Sequence, residues 1–192
     1  MSDESDVLAR AKRGDRSAFS ALVRGYQRRV FATALHVLGN RGDADDVTQE
    51  TFVRAYRGLA SFDGRSDFFT WLYRITVNTA LNHVRSRKRV VAIATAAAAG
   101  ADGRPERPGY AEQTPEEWMV LDQELRAVLA AVAALSPTLR VTLVLATVAD
   151  LPYRQIAEIL EIPEGTVAWR VNEARKHLRR LLAGEDISES ET

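Results

Sequence analysis

Residues 151–182 read LPYRQIAEILEIPEGTVAWRVNEARKHLRRLL. Apolar residues recur three and four positions apart on both sides of a turn that contains Gly165, which predicts two short helices, the second starting at Thr166. The contacts that would set these helices at a steep angle come from both of them: Ile156, Ala157, Leu160, Ile162, Val167 and Val171. This pattern is typical of a helix-turn-helix motif.

The second helix of this motif turns a polar and basic face away from its apolar contacts. In such motifs the first turns of the second helix enter the major groove of DNA, and basic side chains meet phosphate. A solvated basic face is the alternative, but the clustered arginines favour DNA. Trp169 can be a core residue, a base contact or a partner contact. The candidates are Arg154, Thr166, Ala168, Trp169, Arg170, Asn172, Glu173, Arg175 and Lys176, with Arg179 and Arg180 around them.

Upstream of the motif, two further helix starts are visible. Ser136-Pro137 predicts a helix that ends near Asp150, and Thr114-Pro115 predicts one that runs to about Ala134. The segment before Thr114 is rich in Ala, Gly, Arg and Pro and lacks a helical period, so it is interpreted as a flexible linker.

The first half of the chain also has a helical period. One apolar face ends at a break over 39–42, Asp43 is expected to cap the next helix, and a loop over 60–67 precedes a long helix from Phe68 to about Arg89. No strand pattern is present. The apolar face of the first of these helices is Phe19, Leu22, Val23, Tyr26, Val30, Ala34 and Leu38.

The fold class predicted from these patterns is all-α, with two small helical domains joined by a flexible linker. The domains are expected over 17–89 and 116–183, with the linker over 90–115. A polar N-terminal segment (1–16) precedes them and an acidic tail (184–192) follows.

Composition excludes several classes of protein. The chain has 192 residues and no cysteine, which rules out disulfides, thiolate metal sites and cysteine nucleophiles. No stretch is apolar enough to cross a membrane, and no signal core begins the chain, so a cytoplasmic protein without membrane insertion is expected. Net charge is zero, but residues 1–90 carry 16 Lys and Arg against 10 Asp and Glu. A basic first half and a basic last helix suggest two surfaces for one polyanion.

An acidic segment, DADDVTQETF, occupies residues 43–52. Its acids could bind a metal or serve as general acid and base, but no nearby histidine or glycine-rich phosphate loop supports either. A solvated face and a docking surface for a basic partner are the other interpretations. The residues that matter are Asp45, Asp46, Gln49 and Glu50.

A loop and a helix that mix aromatic, amide and basic residues follow at 62–89. Unpaired nucleotides stack on aromatic rings while cations track their phosphates, and a short glycine-containing loop can form a pocket for a flipped base. The alternative is that Phe68, Trp71 and Leu72 belong to the core, which is the favoured interpretation for Leu72 and Trp71. The candidates are Phe62, Arg65, Ser66, Phe68, Trp71, Arg74, Asn78, Asn82 and Arg85.

Three segments together resemble bacterial RNA polymerase sigma factors of the extracytoplasmic-function (ECF) group in the sigma-70 family. They are DADDVTQETFVRAYRGLASF, FFTWLYRITVNTALNHVRSRKR and LPYRQIAEILEIPEGTVAWRVNEARKHL. The resemblance implies a non-enzymatic promoter-specificity subunit that needs no cofactor or metal. Its implied partners are core RNA polymerase (through the β′ clamp helices and the β flap), promoter DNA and an anti-sigma factor.

The resemblance also implies roles for the candidate residues. The acidic face from Asp45 to Glu50 would dock on polymerase, and the loop and helix from Phe62 to Arg85 would capture the −10 element. The linker would run toward the active-site channel of polymerase. The helix-turn-helix would read the −35 element.

The sequence departs from the family pattern at a few positions. Ala168-Trp169 stands where a small polar or basic pair is usual, and Glu173 replaces a basic residue. We therefore hypothesise an altered −35 preference, or a surface partly given to a protein partner. Ala146 and Asp150 replace the more common Arg and Gly.

Two other classes of function serve as comparisons. A stand-alone helix-turn-helix regulator would bind duplex DNA without polymerase, and would need neither the acidic segment nor the aromatic helix. A metal-dependent nuclease would use Asp45, Asp46 and Glu50, and would show metal-dependent activity.

Overall fold

The computed structural model describes residues 4–97 and 123–183. Within these ranges the chain forms eight α-helices and no strand, as the all-α prediction requires. Four helices build each of two bundles, and a 3-10 turn over Leu59–Ser61 lies between the third and fourth helix. The helices are α1 Glu4–Lys12, α2 Arg16–Leu38, α3 Arg41–Gly58, α4 Phe68–Ala97, α5 Gln123–Ala134, α6 Pro137–Thr147, α7 Tyr153–Leu160 and α8 Glu164–Leu182.

Helix α2 forms the predicted apolar face and has clear signals at both ends. The Asp15 carboxylate accepts hydrogen bonds from the backbone N–H groups of Ser17 and Ala18, at 2.9 and 3.1 Å, which satisfies two free donors of the first turn. Gly39 ends the helix at a φ of +80°, a left-handed conformation that glycine adopts without strain. Leu22, Val30 and Ala34 are buried as expected.

The cap of helix α3 differs from the prediction. Asn40, not Asp43, is the capping residue, and its side-chain oxygen accepts from the backbone N–H of Asp43 at 2.7 Å. The helix therefore begins at Arg41, inside the predicted break. Both residue types cap helices well, so the sequence alone did not separate them. The Asp43 carboxylate is left for contacts with α4.

Helix α1 lies in the segment that sequence analysis treated only as polar. Ala11 is buried against the bundle, with Val7 and Leu8 partly buried beside it. Spacings of three and four residues among these side chains are the signal for this helix. The guanidinium of Arg10 lies 2.6 Å from the Asp15 carboxylate and ties α1 to the start of α2.

Helix α4 starts as predicted and ends later. The Asp67 carboxylate accepts from the backbone N–H of Thr70 at 2.6 Å and caps it. The helix continues to Ala97, past its predicted end at Arg89. Alanine, frequent after Val90, is the best helix former, so the helix extends into the predicted linker. The linker beyond 97, the helix start at Thr114 and the tail over 184–192 lie outside the described residues.

The second bundle is built around α6. Ser136 caps this helix and Pro137 occupies its first turn, as predicted. After α6, Asp150 has a φ of +51°. Glycine adopts this conformation more easily, so the departure from the family's usual glycine adds strain here.

The turn of the helix-turn-helix differs in detail from the prediction. Glu161 has a φ of +55° and makes the turn, whereas Gly165 lies inside α8. Helix α8 therefore begins at Glu164, two residues before the predicted start at Thr166. The apolar seam agrees with the prediction, since Ile156, Val167 and Val171 are fully buried.

The two bundles pack against each other, α6 against α2 and α7 against α4. Arg140, which is 6% exposed, crosses this contact. One of its guanidinium nitrogens donates to the carbonyl of Val37 on α2 at 2.9 Å, and the other donates to the carbonyl of Leu135 at 3.0 Å and to that of Ala133. We call this contact the inter-bundle interface.

Candidate functional site

The acidic segment forms one exposed face of α3. Buried Ala44, Val47 and Thr48 hold the opposite side of the helix in the core. Among the described residues, no group of three or more acidic or histidine side chains is arranged to hold a metal ion. A polar face with this exposure can meet a protein partner without rearrangement. The exposed residues are Asp45, Asp46, Gln49 and Glu50.

Two apolar side chains, which sequence analysis did not select, extend this face. Val53 and Tyr56 are 42% and 45% exposed, one and two turns beyond Gln49. The Tyr56 ring packs against Phe19 in an edge-to-face contact with ring centroids 5.0 Å apart, and this contact holds the ring in place. Val53 follows Gln49 by four residues and Tyr56 follows Val53 by three, and this helical spacing was the available signal. An acidic rim beside supported apolar side chains is suited to a protein interface.

The two phenylalanines of the predicted −10 site lie in the core. Phe62 is 6% exposed and Phe68 is 4% exposed, with ring centroids 6.3 Å apart. Trp71 completes the cluster at 5.0 Å from Phe62 and is partly buried. A Cβ on Gly58 would come within 3.3 Å of the indole, so the glycine leaves room for it. In this structure Phe62 and Phe68 pack under the loop and hold its conformation, and their ring faces are not exposed for stacking with a base.

Helix α1 contributes to the same loop. The Lys12 ammonium donates to the carbonyl of Phe62 at 2.6 Å and lies 5.6 Å from the centre of its ring. This contact joins residues 50 positions apart, which no local pattern predicts. The loop tip is exposed, with Gly64 at a φ of +77° and Arg65 paired with Asp63 at 2.7 Å. Ser66 is half-buried behind it.

Helix α4 carries a row of polar side chains spaced three and four residues apart. Asn78, Asn82 and Arg85 are exposed, and Arg85 donates to the Asn82 side-chain oxygen at 3.3 Å. Arg74 is held differently. Its guanidinium donates to the backbone carbonyl of Glu158 at 2.9 Å and lies 3.1 Å from the Glu161 carboxylate. The helix-turn-helix therefore covers one end of the row.

An ion-pair network anchors α4 to α3 below this row. One oxygen of Asp43 lies 2.6 Å from the Arg87 guanidinium and the other lies 3.0 Å from His83. Partial burial acts to raise the pKa of Asp43, but the hydrogen bond from Asn40 and the charges of His83 and Arg87 outweigh it. The pKa is therefore held below its ordinary value of 3.8.

The candidate residues on α8 do not all face outward. Trp169 is 61% exposed, which excludes the core interpretation in this structure. Thr166 and Ala168 are half-buried, and Arg170 turns toward the inter-bundle interface. The fully exposed candidates of the motif, besides Trp169, are Arg154, Asn172, Arg175 and Lys176, with Arg179 beyond them.

Glu173 has a partner on its own helix. Its carboxylate lies 2.9 Å from Nε2 of His177, one turn further along, and both side chains are about a quarter exposed, at 27% and 28%. Sequence analysis did not select His177. The spacing of four residues between an acid and a histidine was the signal that could have found it.

A cavity of about 180 Å³ lies between the bundles. Arg74 and Asn78 of the α4 row line one side of it, and Glu161 and Arg170 of the helix-turn-helix line the other. The two candidate DNA-binding surfaces therefore share a border in this arrangement. No helix within the described ranges is long and apolar enough to cross a membrane.

The second bundle carries a helix-turn-helix and is docked on the first bundle, which carries an acidic face and an aromatic, basic helix. This arrangement defines a two-domain all-helical protein of the DNA-binding class. The family model for sigma-70 region 2 matches residues 22–90, and the model for sigma-70 region 4 matches residues 125–178.

Similar proteins point the same way. The RNA polymerase sigma-H factor of Pseudomonas aeruginosa is 34% identical over 93% of both chains. The ECF RNA polymerase sigma-E factor of Escherichia coli K12 is 36% identical over 88% of this chain and 89% of its own. Among solved structures, CnrH in complex with the cytosolic domain of CnrY is 25% identical with a TM-score of 0.66, over 94% of this chain and 97% of that one.

This chain belongs to the ECF sigma factors of the sigma-70 family. The identification made from its sequence is confirmed, and so are the predicted fold class and its function as a sigma factor in transcription initiation. A match to region 2 over residues 22–90 is not expected of a stand-alone helix-turn-helix regulator.

Proposed function

We propose that this sigma factor docks on core RNA polymerase through α3, captures the −10 element with the loop and α4, and reads the −35 element with α8. It acts in the cytoplasm and has no catalytic activity of its own. The observation that supports this most directly is the exposure of Asp45, Asp46, Gln49 and Glu50 on one helix face, where Glu50 is paired with Arg54 at 2.7 Å. Side chains with no role in the core are available to a partner.

The partner surface on polymerase is the β′ clamp helices. Four polar side chains offer an acidic rim, and Val53 and Tyr56 lie beside it as an apolar patch. Charge complementarity with a basic surface would speed and orient docking. The β flap is the second polymerase contact, made by the second bundle.

For the −10 element, the exposed tip of the loop and the α4 row are the nucleotide-binding groups. Asn78, Asn82 and Arg85 offer amide and guanidinium donors on a rigid helix. Phe62 and Phe68 form the floor beneath the loop, and partly buried Trp71 forms its wall. An unpaired base would enter between the tip and this aromatic cluster, where the partly buried ring of Trp71 is the one available for stacking.

Promoter binding requires the two bundles to separate. Arg74 is engaged by Glu158 and Glu161, and Arg170 faces the same cavity, so both are partly covered in the present arrangement. A regulatory partner of the anti-sigma kind would act by keeping these surfaces covered. Support comes from CnrH, which was solved in complex with the cytosolic domain of another protein.

Charge reversal on α3 tests the docking proposal. Asp46→Lys is expected to weaken binding to purified core polymerase by tenfold or more, on the order of a lost interface charge pair, and run-off transcription should fall with it. Asp6→Lys reverses an exposed acid on α1 and serves as the matched control, with binding unchanged. Equal binding of Asp46→Lys and the parent would refute docking through α3.

The stand-alone regulator predicts a different result from the same preparation. It would bind a −35 duplex tightly without polymerase and would give no promoter-dependent transcript when core polymerase is added. The proposed sigma factor should give transcripts only with core polymerase.

A further inference from the structure

Three side chains form a row along one side of α8, in which Trp169 is exposed and Glu173 and His177 are about a quarter exposed. Trp169, Glu173 and His177 are spaced four residues apart, so they are neighbours along the helix surface. Val167 and Val171 bind the other side of the helix to the core and fix which way this row points. In a docked helix-turn-helix such a row faces the major groove.

Glu173 is an acidic residue on a helix that is proposed to bind DNA, which is itself negatively charged. DNA phosphates repel a carboxylate, so Glu173 weakens binding to every sequence unless a base donates to it. Among major-groove donors, the N4 amine of cytosine is the usual partner of a glutamate. The chemistry of the residue thus favours a C·G pair and opposes sequences that lack it.

His177 restrains this carboxylate. Its Nε2 lies 2.9 Å from Oε1 of Glu173, so one carboxylate oxygen accepts from the ring. A carboxylate has two oxygens with about four acceptor sites, so the second oxygen retains the capacity to accept from a base. A side chain held in one orientation loses less conformational freedom when it binds.

We propose that Glu173 accepts a hydrogen bond from a cytosine of the −35 duplex and that His177 is the residue that positions it. The exposed ring of Trp169, one turn toward the start of the helix, lies against the neighbouring base pair, where its apolar edge suits a thymine methyl group. This inference rests on the proposed function, in which α8 reads the −35 element.

The test uses the full chain with core polymerase on a duplex promoter library in which each −35 base is randomised. A barcode in the transcribed region identifies each −35 variant, so the sequenced transcripts give the preference at every position. Glu173→Gln is expected to reduce the cytosine preference at one position by roughly fivefold or more and to shift it toward adenine, which pairs well with glutamine. Lys176→Ala, on the same exposed face, should lower output for all sequences alike because a lysine there meets phosphate.

His177 is tested separately. His177→Ala should reduce the same cytosine preference by roughly two- to threefold, since the carboxylate remains but is no longer restrained. His177→Gln restores an N–H donor and should recover most of it. Thermal unfolding of each variant, followed by circular dichroism, separates a loss of preference from a loss of fold.

The outcomes are distinct. If Glu173→Gln leaves every base preference unchanged and alters only thermal unfolding, the Glu173–His177 pair is a helix-surface contact and the inference is wrong. If His177→Ala keeps the full cytosine preference, the positioning role is wrong. A parent protein that yields no promoter-dependent transcript with core polymerase would overturn the proposed function itself, and this inference with it.

Discussion

The two bundles present their candidate DNA-binding residues in opposite ways. In the first bundle, the proposed −10 loop packs on Phe62 and Phe68, which are core residues at 6% and 4% exposure. In the second, Trp169 and its neighbours stand on the outer face of a helix whose other side does the packing. Stability and recognition are therefore coupled in the first bundle and separable in the second.

A matched pair of ring deletions tests this difference most strongly. Phe62→Ala should lower the free energy of unfolding by about 3 kcal/mol, because a buried ring is lost and a cavity remains. Trp169→Ala should change it by less than about 0.5 kcal/mol, as for other exposed positions. Urea unfolding followed by circular dichroism measures both. Similar losses for the two variants would remove the contrast between the bundles.

Phe62→Leu refines the same comparison. Leucine refills most of the cavity, so stability should largely return. If Phe62 acts only as the floor of the loop, run-off transcription should return with it. Transcription that stays low in a stable Phe62→Leu variant would indicate that the ring itself contacts a base.

Arg140 tests how the second bundle is held on the first. Arg140→Ala removes buried charged hydrogen bonds to the carbonyls of Val37, Ala133 and Leu135, and should cost about 2–4 kcal/mol. The inter-bundle interface should open, so the radius of gyration from small-angle X-ray scattering should rise. Arg140→Lys keeps the charge but reaches fewer carbonyls, so its stability and radius of gyration should lie between those of the parent and Arg140→Ala. An unchanged radius in a destabilised Arg140→Ala variant would mean that other contacts hold the bundles together.

The helices of both bundles could be predicted from the sequence because apolar spacing and capping residues are local signals. Even so, Asn40 rather than Asp43 caps α3, and α4 continues to Ala97, because equivalent capping residues and an alanine-rich stretch leave such ends undetermined. The sequence predicted a turn over 161–165, but it did not show that Glu161 adopts the left-handed conformation or that Gly165 already lies inside α8.

The residues that local patterns missed act through distant contacts. Lys12 holds the carbonyl of Phe62, and Arg140 holds that of Val37, 103 residues away along the chain. A sequence pattern shows that Asp45 and Asp46 share a face, but the way one bundle covers the other follows only from the three-dimensional packing. For this reason the sequence could propose candidate residues, but it could not predict the partial covering of Arg74 and Arg170.

Asp43 makes the stability of the first bundle depend on pH. Because its folded-state pKa lies below 3.8, the ion pairs with His83 and Arg87 stabilise the fold above that pH, and this stabilisation is lost as pH falls through the folded-state pKa. Asp43→Asn should cost about 1–2 kcal/mol at pH 7. The difference between variant and parent should shrink below pH 3.8.

Asp45→Asn is the control for this pH measurement. It removes an exposed acid two positions along the same helix and should change the unfolding free energy by less than about 0.5 kcal/mol at any pH. A cost for Asp43→Asn that stayed constant from pH 7 to pH 3 would contradict the role of its charge.

Breaking the ion pair between Arg74 and Glu161 should have the smallest effect on stability. This ion pair joins the two bundles at a residue proposed to bind DNA. Glu161 is 69% exposed in its side chain, so Glu161→Gln should change the unfolding free energy by less than about 1 kcal/mol. The Arg74 guanidinium would nevertheless lose its anionic partner and become more available to phosphate. Binding of a single-stranded −10 oligonucleotide by the full chain, measured by fluorescence anisotropy, should then rise by roughly two- to fourfold, equivalent to a fraction of 1 kcal/mol.

Glu158→Gln is the matched control, because Arg74 contacts the backbone carbonyl of Glu158 rather than its side chain, and oligonucleotide binding should stay at the parent level. If Glu161→Gln and the parent bind the oligonucleotide equally, the ion pair does not limit the access of Arg74 to DNA, and packing of the helix-turn-helix alone covers this residue.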